Sequence, residues 1–176
     1  MVHHQMYGFG RNDSQKLGLT SKKAQPETVL LPRRVDLRCS VRNFGSGIVM
    51  VRAGVNHSAA LVRRSSGQLE LYAWGKCQEA LGMSNMQQQA RVPTCVQALT
   101  QNHEKSILKK ELLDSEYLVD ISLGEDCSFC VTSMGRCFAF GSNTLGLGPG
   151  IVVASEPAAV DIPDFVVSVQ AGASHV

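Results

Sequence analysis

Tyr7-Gly8-Phe9-Gly10, Tyr72-Ala73-Trp74-Gly75 and Phe138-Ala139-Phe140-Gly141 spell one phrase, aromatic-X-aromatic-Gly, three times over. The closing glycines stand 65 and 66 residues apart. Each phrase is followed by a Leu-Gly pair, at Leu17-Gly18, Leu81-Gly82 and Leu145-Gly146, and then by a proline, at Pro26, Pro93 and Pro157. A second glycine motif comes later in each unit: Ala53-Gly54-Val55-Asn56-His57, Leu123-Gly124-Glu125-Asp126-Cys127 and Ala171-Gly172-Ala173-Ser174-His175. Ordered features recurring at a fixed period are the signature of a repeat architecture. The units run over about 5–68, 69–135 and 136–176, the third incomplete.

Between the glycines the pattern is β. Ile48–Ala53, His57–Val62 and Leu69–Trp74 are short apolar runs rich in β-branched or aromatic residues, and Leu118–Leu123, Cys127–Thr132 and Cys137–Phe140 are their counterparts. Gly67 and Gly135 fall where hairpin turns are needed, and glycine reaches positive φ without steric cost. Short antiparallel strands at this period predict an all-β chain of β-propeller blades, with the matched aromatics packed between blades. Two segments break the repeat. Residues 33–47 form a basic, glycine-ended insertion, and residues 101–117 have the i, i+4 leucines (Leu108, Leu112) of a short helix. In repeat folds insertions of this kind are loops on one face, often the binding face.

Composition narrows the class. With 44% hydrophobic and 18% charged residues, the 176-residue chain has the apolar content for a core. It has no run of eighteen apolar residues for a membrane span and opens without a signal-peptide pattern. Six cysteines in that setting read as reduced, intracellular thiols. The formal charge of +2 hides an asymmetry. Residues 1–66 hold eleven Lys/Arg against three Asp/Glu, a net of +8, and residues 67–176 hold six against twelve, a net of −6.

The run from Tyr7-Gly-Phe-Gly through Leu17-Gly18 and Pro26 to Val51-Arg-Ala-Gly-Val-Asn-His-Ser-Ala-Ala-Leu-Val62 resembles a repeat of the regulator of chromosome condensation family. Tyr72-Ala-Trp-Gly75 opens a second copy, in which Cys127 replaces the expected His, and the third departs further. The resemblance implies a propeller of about seven blades, of which 1–176 supplies a partial ring of about three. Because the third unit stops at His175-Val176, the chain is expected to be a fragment, a truncated gene model or a splice product.

No catalytic constellation is assembled by these residues. His57 and His175 sit at a repeated position and read as structural, since a general base needs an orienting partner. Cys127-Ser-Phe-Cys130 has half-zinc-site spacing, but residues i and i+3 of a strand point to opposite faces, so no metal site is expected. No phosphate-binding loop or Rossmann fingerprint occurs, and no cofactor is expected. The residues singled out for partner binding are Arg33, Arg34, Arg38 and Arg42, whose guanidinium forks suit carboxylates or phosphates; the plainer reading is a solvated loop.

The function expected is therefore a protein-interaction module without chemistry of its own. Two alternatives stand beside it. The family resemblance implies guanine-nucleotide exchange on a Ran-like or other small GTPase, and the basic first third suggests chromatin or nucleic-acid association. The compartment expected is cytoplasmic or nuclear, ahead of mitochondrial.

Overall fold

The structure, a computed structural model, describes residues 5–19, 26–37, 47–76, 79–83, 90–96, 99, 115–142, 145–173 and 175–176. Ten strands cover most of them: β1 (Met6–Arg11), β2 (Thr28–Val35), β3 (Gly47–Ala53), β4 (His57–Arg63), β5 (Leu69–Gly75), β6 (Ala90–Cys95), β7 (Leu118–Leu123), β8 (Cys127–Thr132), β9 (Cys137–Ser142) and β10 (Val153–Ala159). Among the described residues, Glu79–Leu81 form a 3-10 turn and Leu99 is also 3-10.

Chain order is also sheet order. β3-β4-β5-β6 and β7-β8-β9-β10 are four-stranded antiparallel meanders, and β1-β2 forms a two-stranded sheet. The hairpin from β4 to β5 is closed by Gly67 N–H to the Arg64 carbonyl at 2.9 Å, and that from β8 to β9 by Gly135 N–H to the Thr132 carbonyl at 2.9 Å. Both glycines take the positive φ expected of them, +86° and +74°. The outermost strands β2, β6 and β10 carry Pro32, Pro93 and Pro157, which an edge strand tolerates because one side of its backbone needs no ladder partner. The aromatic phrases lie in β1, β5 and β9, and in all three the pairing register with the outer strand slips near the phrase's closing glycine.

Sheet and sequence repeat are out of phase. The unit 5–68 supplies β1 and β2, the outer half of one blade, and then β3 and β4, the inner half of the next. The unit that follows completes that blade with β5 and β6 and opens another with β7 and β8.

Blades meet along their innermost strands. Arg52 on β3 donates from Nε to the Ile121 carbonyl at 3.0 Å and from Nη2 to Asp120 Oδ1 at 3.2 Å. Asp120 Oδ2 then accepts from Val169 N–H at 3.2 Å, and Ser122 Oγ from Ala171 N–H at 2.8 Å. A Cβ at Gly54 would stand 2.8 Å from the Gly124 carbonyl, and one at Gly124 3.0 Å from that of Gly172, so only glycine allows this approach. One apolar cluster joins β1-β2, the β3–β6 blade and one face of the next, including Met6, Val35, Leu61, Leu71, Trp74, Ile121, Cys130 and Phe140. A second, with Cys127, Phe129, Val131, Cys137 and Val169, fills that blade's other face. Cys127 and Cys130 thus lie on opposite faces, as strand geometry requires.

Candidate functional site

Strand direction assigns every connection to one of two ends. β3, β5, β7 and β9 all finish at the same end, where the turns 54–57 and 124–127 lie; the hairpins at Gly67 and Gly135 lie at the other. β2 finishes at Val35 and β3 starts at Gly47, opposite Arg63, while β6 finishes at Cys95 and β7 starts at Leu118, opposite Thr132. Both insertions are therefore anchored at the hairpin end.

The sequence candidates divide accordingly. Arg33 and Arg34 are exposed and belong to the last turn-ward residues of β2, paired with Gly8 and Tyr7, so the first residues of the segment 33–47 are strand. As strand neighbours they point to opposite sides and do not converge on one ligand. Arg38 and Arg42 lie outside the described residues, as does 101–114. Two arginines missed in the sequence stand at the same end: Arg63, exposed and paired with Gly47, and Arg64 in the hairpin. Their signal was their place just before the turn glycine Gly67. Arg64 Nη2 meets Glu70 Oε1 at 2.6 Å, and Tyr72 Oη donates to Glu70 Oε2 at 3.0 Å. The Glu70 hydrogen bond raises the Arg64 pKa, so this partly exposed guanidinium is always charged. In the next blade Arg136 at this end is committed inward: it chelates fully buried Glu116, which also accepts from Thr132 Oγ1, and it stacks over Phe138 at 5.1 Å.

Among the described residues, the opposite end holds an arrangement that imitates a catalytic pair. His57 Nε2 lies 2.8 Å from Ser128 Oγ in the next blade. Ser128 Oγ donates its proton to the Ala80 carbonyl at 2.6 Å, so His57 must be the donor to Ser128. That polarity is the reverse of a histidine activating a serine, which would have to accept the hydroxyl proton. Both side chains are buried, and burial pushes the His57 pKa down to about 4 against the pull of Asp126 and the Glu125 backbone. Asp126, in the following unit, accepts from Asn56 Nδ2 at 3.1 Å and acts on His57 through its charge. The turn itself repeats: Gly54 N–H to the His57 carbonyl at 2.8 Å, Gly124 to Cys127 at 2.8 Å, and Gly172 to His175 at 2.7 Å. These residues hold blades in register.

Among the described residues no cluster of three or more His, Cys, Asp or Glu is placed to hold a metal ion, and no helix is long and apolar enough to cross a membrane. Burial raises the pKa of the Cys127, Cys130 and Cys137 thiols, the opposite of what a reactive thiolate needs.

Residues 3–61 match the family model of the regulator of chromosome condensation (RCC1) repeat, so the first unit is such a repeat. The chain matches no curated protein. Its fold is similar to the crystal structure of human WBSCR16, at 20% identity and a TM-score of 0.71, covering 99% of this chain and 39% of that one. It is similar also to Prp20p from Saccharomyces cerevisiae, at 18% identity and a TM-score of 0.62, covering 96% of this chain and 37% of that one. The chain spans about two fifths of the length of these proteins, and at such identity the likeness establishes the fold: partial RCC1-type β-propeller blades.

Proposed function

We infer that this chain, whose first unit is a regulator of chromosome condensation repeat, works as a β-propeller docking module that captures an acidic protein partner on its insertion-bearing end. One observation supports the reading: both insertions are anchored at the end where Arg33, Arg34, Arg63 and Arg64 stand, while the described turns 54–57 and 124–127 at the other end lock blades together. Guanidinium groups spread over one end favour a carboxylate-rich surface and speed its encounter without converging on a single ligand. Arg38 and Arg42 extend the same basic segment in sequence. The test is capture of an Asp/Glu-rich polypeptide by the whole chain, against the variant with Arg33, Arg34, Arg38 and Arg42 all replaced by Ala. Capture reduced at least tenfold supports the reading; unchanged capture removes the cluster from it.

A second reading is exchange on a Ran-like GTPase. It is favoured by the likeness to Prp20p, whose structure is described together with its binding to Gsp1p and to histones. Mixing the chain with such a GTPase carrying fluorescent GDP decides it: release no faster than the intrinsic rate rejects exchange. Chromatin association is separated by salt, because phosphate-driven binding falls steeply as ionic strength rises. A nuclear or cytoplasmic location belongs to this proposal and is checked by imaging the tagged protein.

A further inference from the structure

The hairpin between β4 and β5 carries side chains that its turn does not require. The tip reads Arg63-Arg64-Ser65-Ser66-Gly67, and all five residues are exposed. In the next blade Thr132-Ser133-Met134-Gly135 closes the same way. Thr132 N–H meets the Arg136 carbonyl at 2.9 Å as Arg64 N–H meets that of Gln68 at 2.7 Å, and both turns end on a glycine of positive φ. There the residue matching Ser66 is Met134, and no arginine stands before it. Its neighbour Ser133 is tied down, the Oγ accepting from Tyr117 N–H at 3.3 Å.

The two hairpins also differ in reach. β4 and β5 stay paired from His57–Gly75 as far as Arg63–Leu69, whereas β8 and β9 run from Cys127–Gly141 only to Val131–Cys137. Two further residue pairs make the first hairpin about 7 Å longer. At its tip Ser66 Oγ donates to Gln68 Oε1 at 3.1 Å, an exposed bond that water can replace. Arginines two and three residues before a serine have a chemical meaning. In an extended chain they start about 7 and 10 Å from the hydroxyl, and guanidinium forks hold carboxylates bidentately. Charge patterns of this kind select the substrates of protein kinases.

We propose that Ser66 is a phosphoryl-acceptor site for a serine/threonine protein kinase with an acidic substrate cleft, which recognises it through Arg63 and Arg64. Ser66 Oγ attacks the γ-phosphorus of Mg-ATP. The Oγ–P bond forms as the bond from that phosphorus to the β,γ-bridging oxygen breaks, ADP leaves, and the hydroxyl proton passes to the kinase's aspartate base. Laying the tip into an extended cleft opens two backbone hydrogen bonds, Arg64 N–H to Gln68 and Gly67 N–H to the Arg64 carbonyl, and releases Arg64 from Glu70. An exposed hairpin tip opens at low cost while the ladder beneath it stays paired. The product sets about two negative charges beside the two arginines. The proposal does not depend on the partner-docking reading.

Incubating the folded whole chain with Mg-ATP and the catalytic subunit of the cyclic-AMP-dependent protein kinase, an arginine-directed enzyme, tests it. Peptide mapping by mass spectrometry locates the phosphate, and a synthetic peptide of residues 59–70 shows that the kinase is active. Phosphate should enter the folded chain at Ser66. Ser66→Ala should lower incorporation into this hairpin at least tenfold, and Ser65→Ala less than twofold. Arg63→Gln, at an exposed position, should lower kcat/KM at least tenfold. Circular dichroism confirms that each variant keeps the fold. Phosphate on the peptide but not on the folded chain overturns the proposal, as does phosphate on neither. Phosphate on Ser65 in place of Ser66 overturns it too, and so does Arg63→Gln serving as well as the parent.

Discussion

Trp74 of one repeat reaches across to the repeat before it: its indole Nε1 donates to the Lys16 carbonyl at 2.8 Å, and its ring takes the space where a Gly18 side chain would be. Ser58 Oγ donates to the same carbonyl at 2.8 Å, and Lys16 Nζ donates to the Val55 carbonyl at 2.9 Å, so the loop after β1 is tied to the next blade through Lys16.

Gly18→Ala must then both clash with Trp74 and strain a backbone at φ +65°. We expect it to destabilise the chain by about 2–4 kcal/mol. Gly82→Ala, with Phe140 at 3.1 Å, should cost about as much or slightly less. Gly146→Ala shares the positive φ but meets no ring, and about 1 kcal/mol is expected. Urea unfolding of the three variants checks the order.

His57 gives the fold a dependence on pH. Its folded pKa of about 4 lies below the ordinary 6.5, so the unfolded chain binds the proton more readily. The stability associated with the neutral ring is whole above pH 6.5 and declines as pH falls towards 4, by up to about 3 kcal/mol. Comparing urea midpoints of the parent and His57→Gln from pH 7 to pH 4 should show a shallower slope in the variant. Equal slopes would assign the acid sensitivity elsewhere.

Glu116 is fully buried and depends on Arg136 for its charge balance. Arg136→Ala should cost about 3–5 kcal/mol, because it removes the guanidinium that faces a fully buried carboxylate. Replacing both residues by Met should recover most of that loss, as apolar substitutes for a buried pair often do. A double-mutant cycle by chemical denaturation measures the coupling.

The buried thiols should be silent in the native protein. Cys130 is completely enclosed and burial raises its pKa strongly, so iodoacetamide should leave it unmodified until the chain unfolds. Cys95, half-buried, should react sooner. Peptide mapping by mass spectrometry after timed labelling separates the two.

Much of this architecture was legible in the sequence because it depends on local pattern. Leu118–Leu123 and Cys127–Thr132 are strands over the very residues the alternation and the glycine boundaries mark. The outer strands β6 and β10 were not legible: Pro93 and Pro157 argue against a strand until the fold shows that each lies at an edge. A period establishes which residues are equivalent but not which are adjacent, so the seat of Trp74 on Gly18 and of Asp126 beside His57 had to come from the structure. Arg63 and Arg64 were hidden differently. Their strand reads as core, and only its direction brings its last residues to the end that bears the insertions.

The offset between repeat and blade makes each repeat boundary a seam inside a sheet. The boundary near residue 68 falls in the hairpin between β4 and β5, which pair continuously from His57–Gly75 to Arg63–Leu69. A protease nick there would leave two pieces still laced by a full β-ladder, neither able to close its own sheet. Gain or loss of one whole repeat, by contrast, would exchange an outer half-blade and an inner half-blade together. The array can change length by duplication without passing through a form in which a new blade must find its partners from nothing.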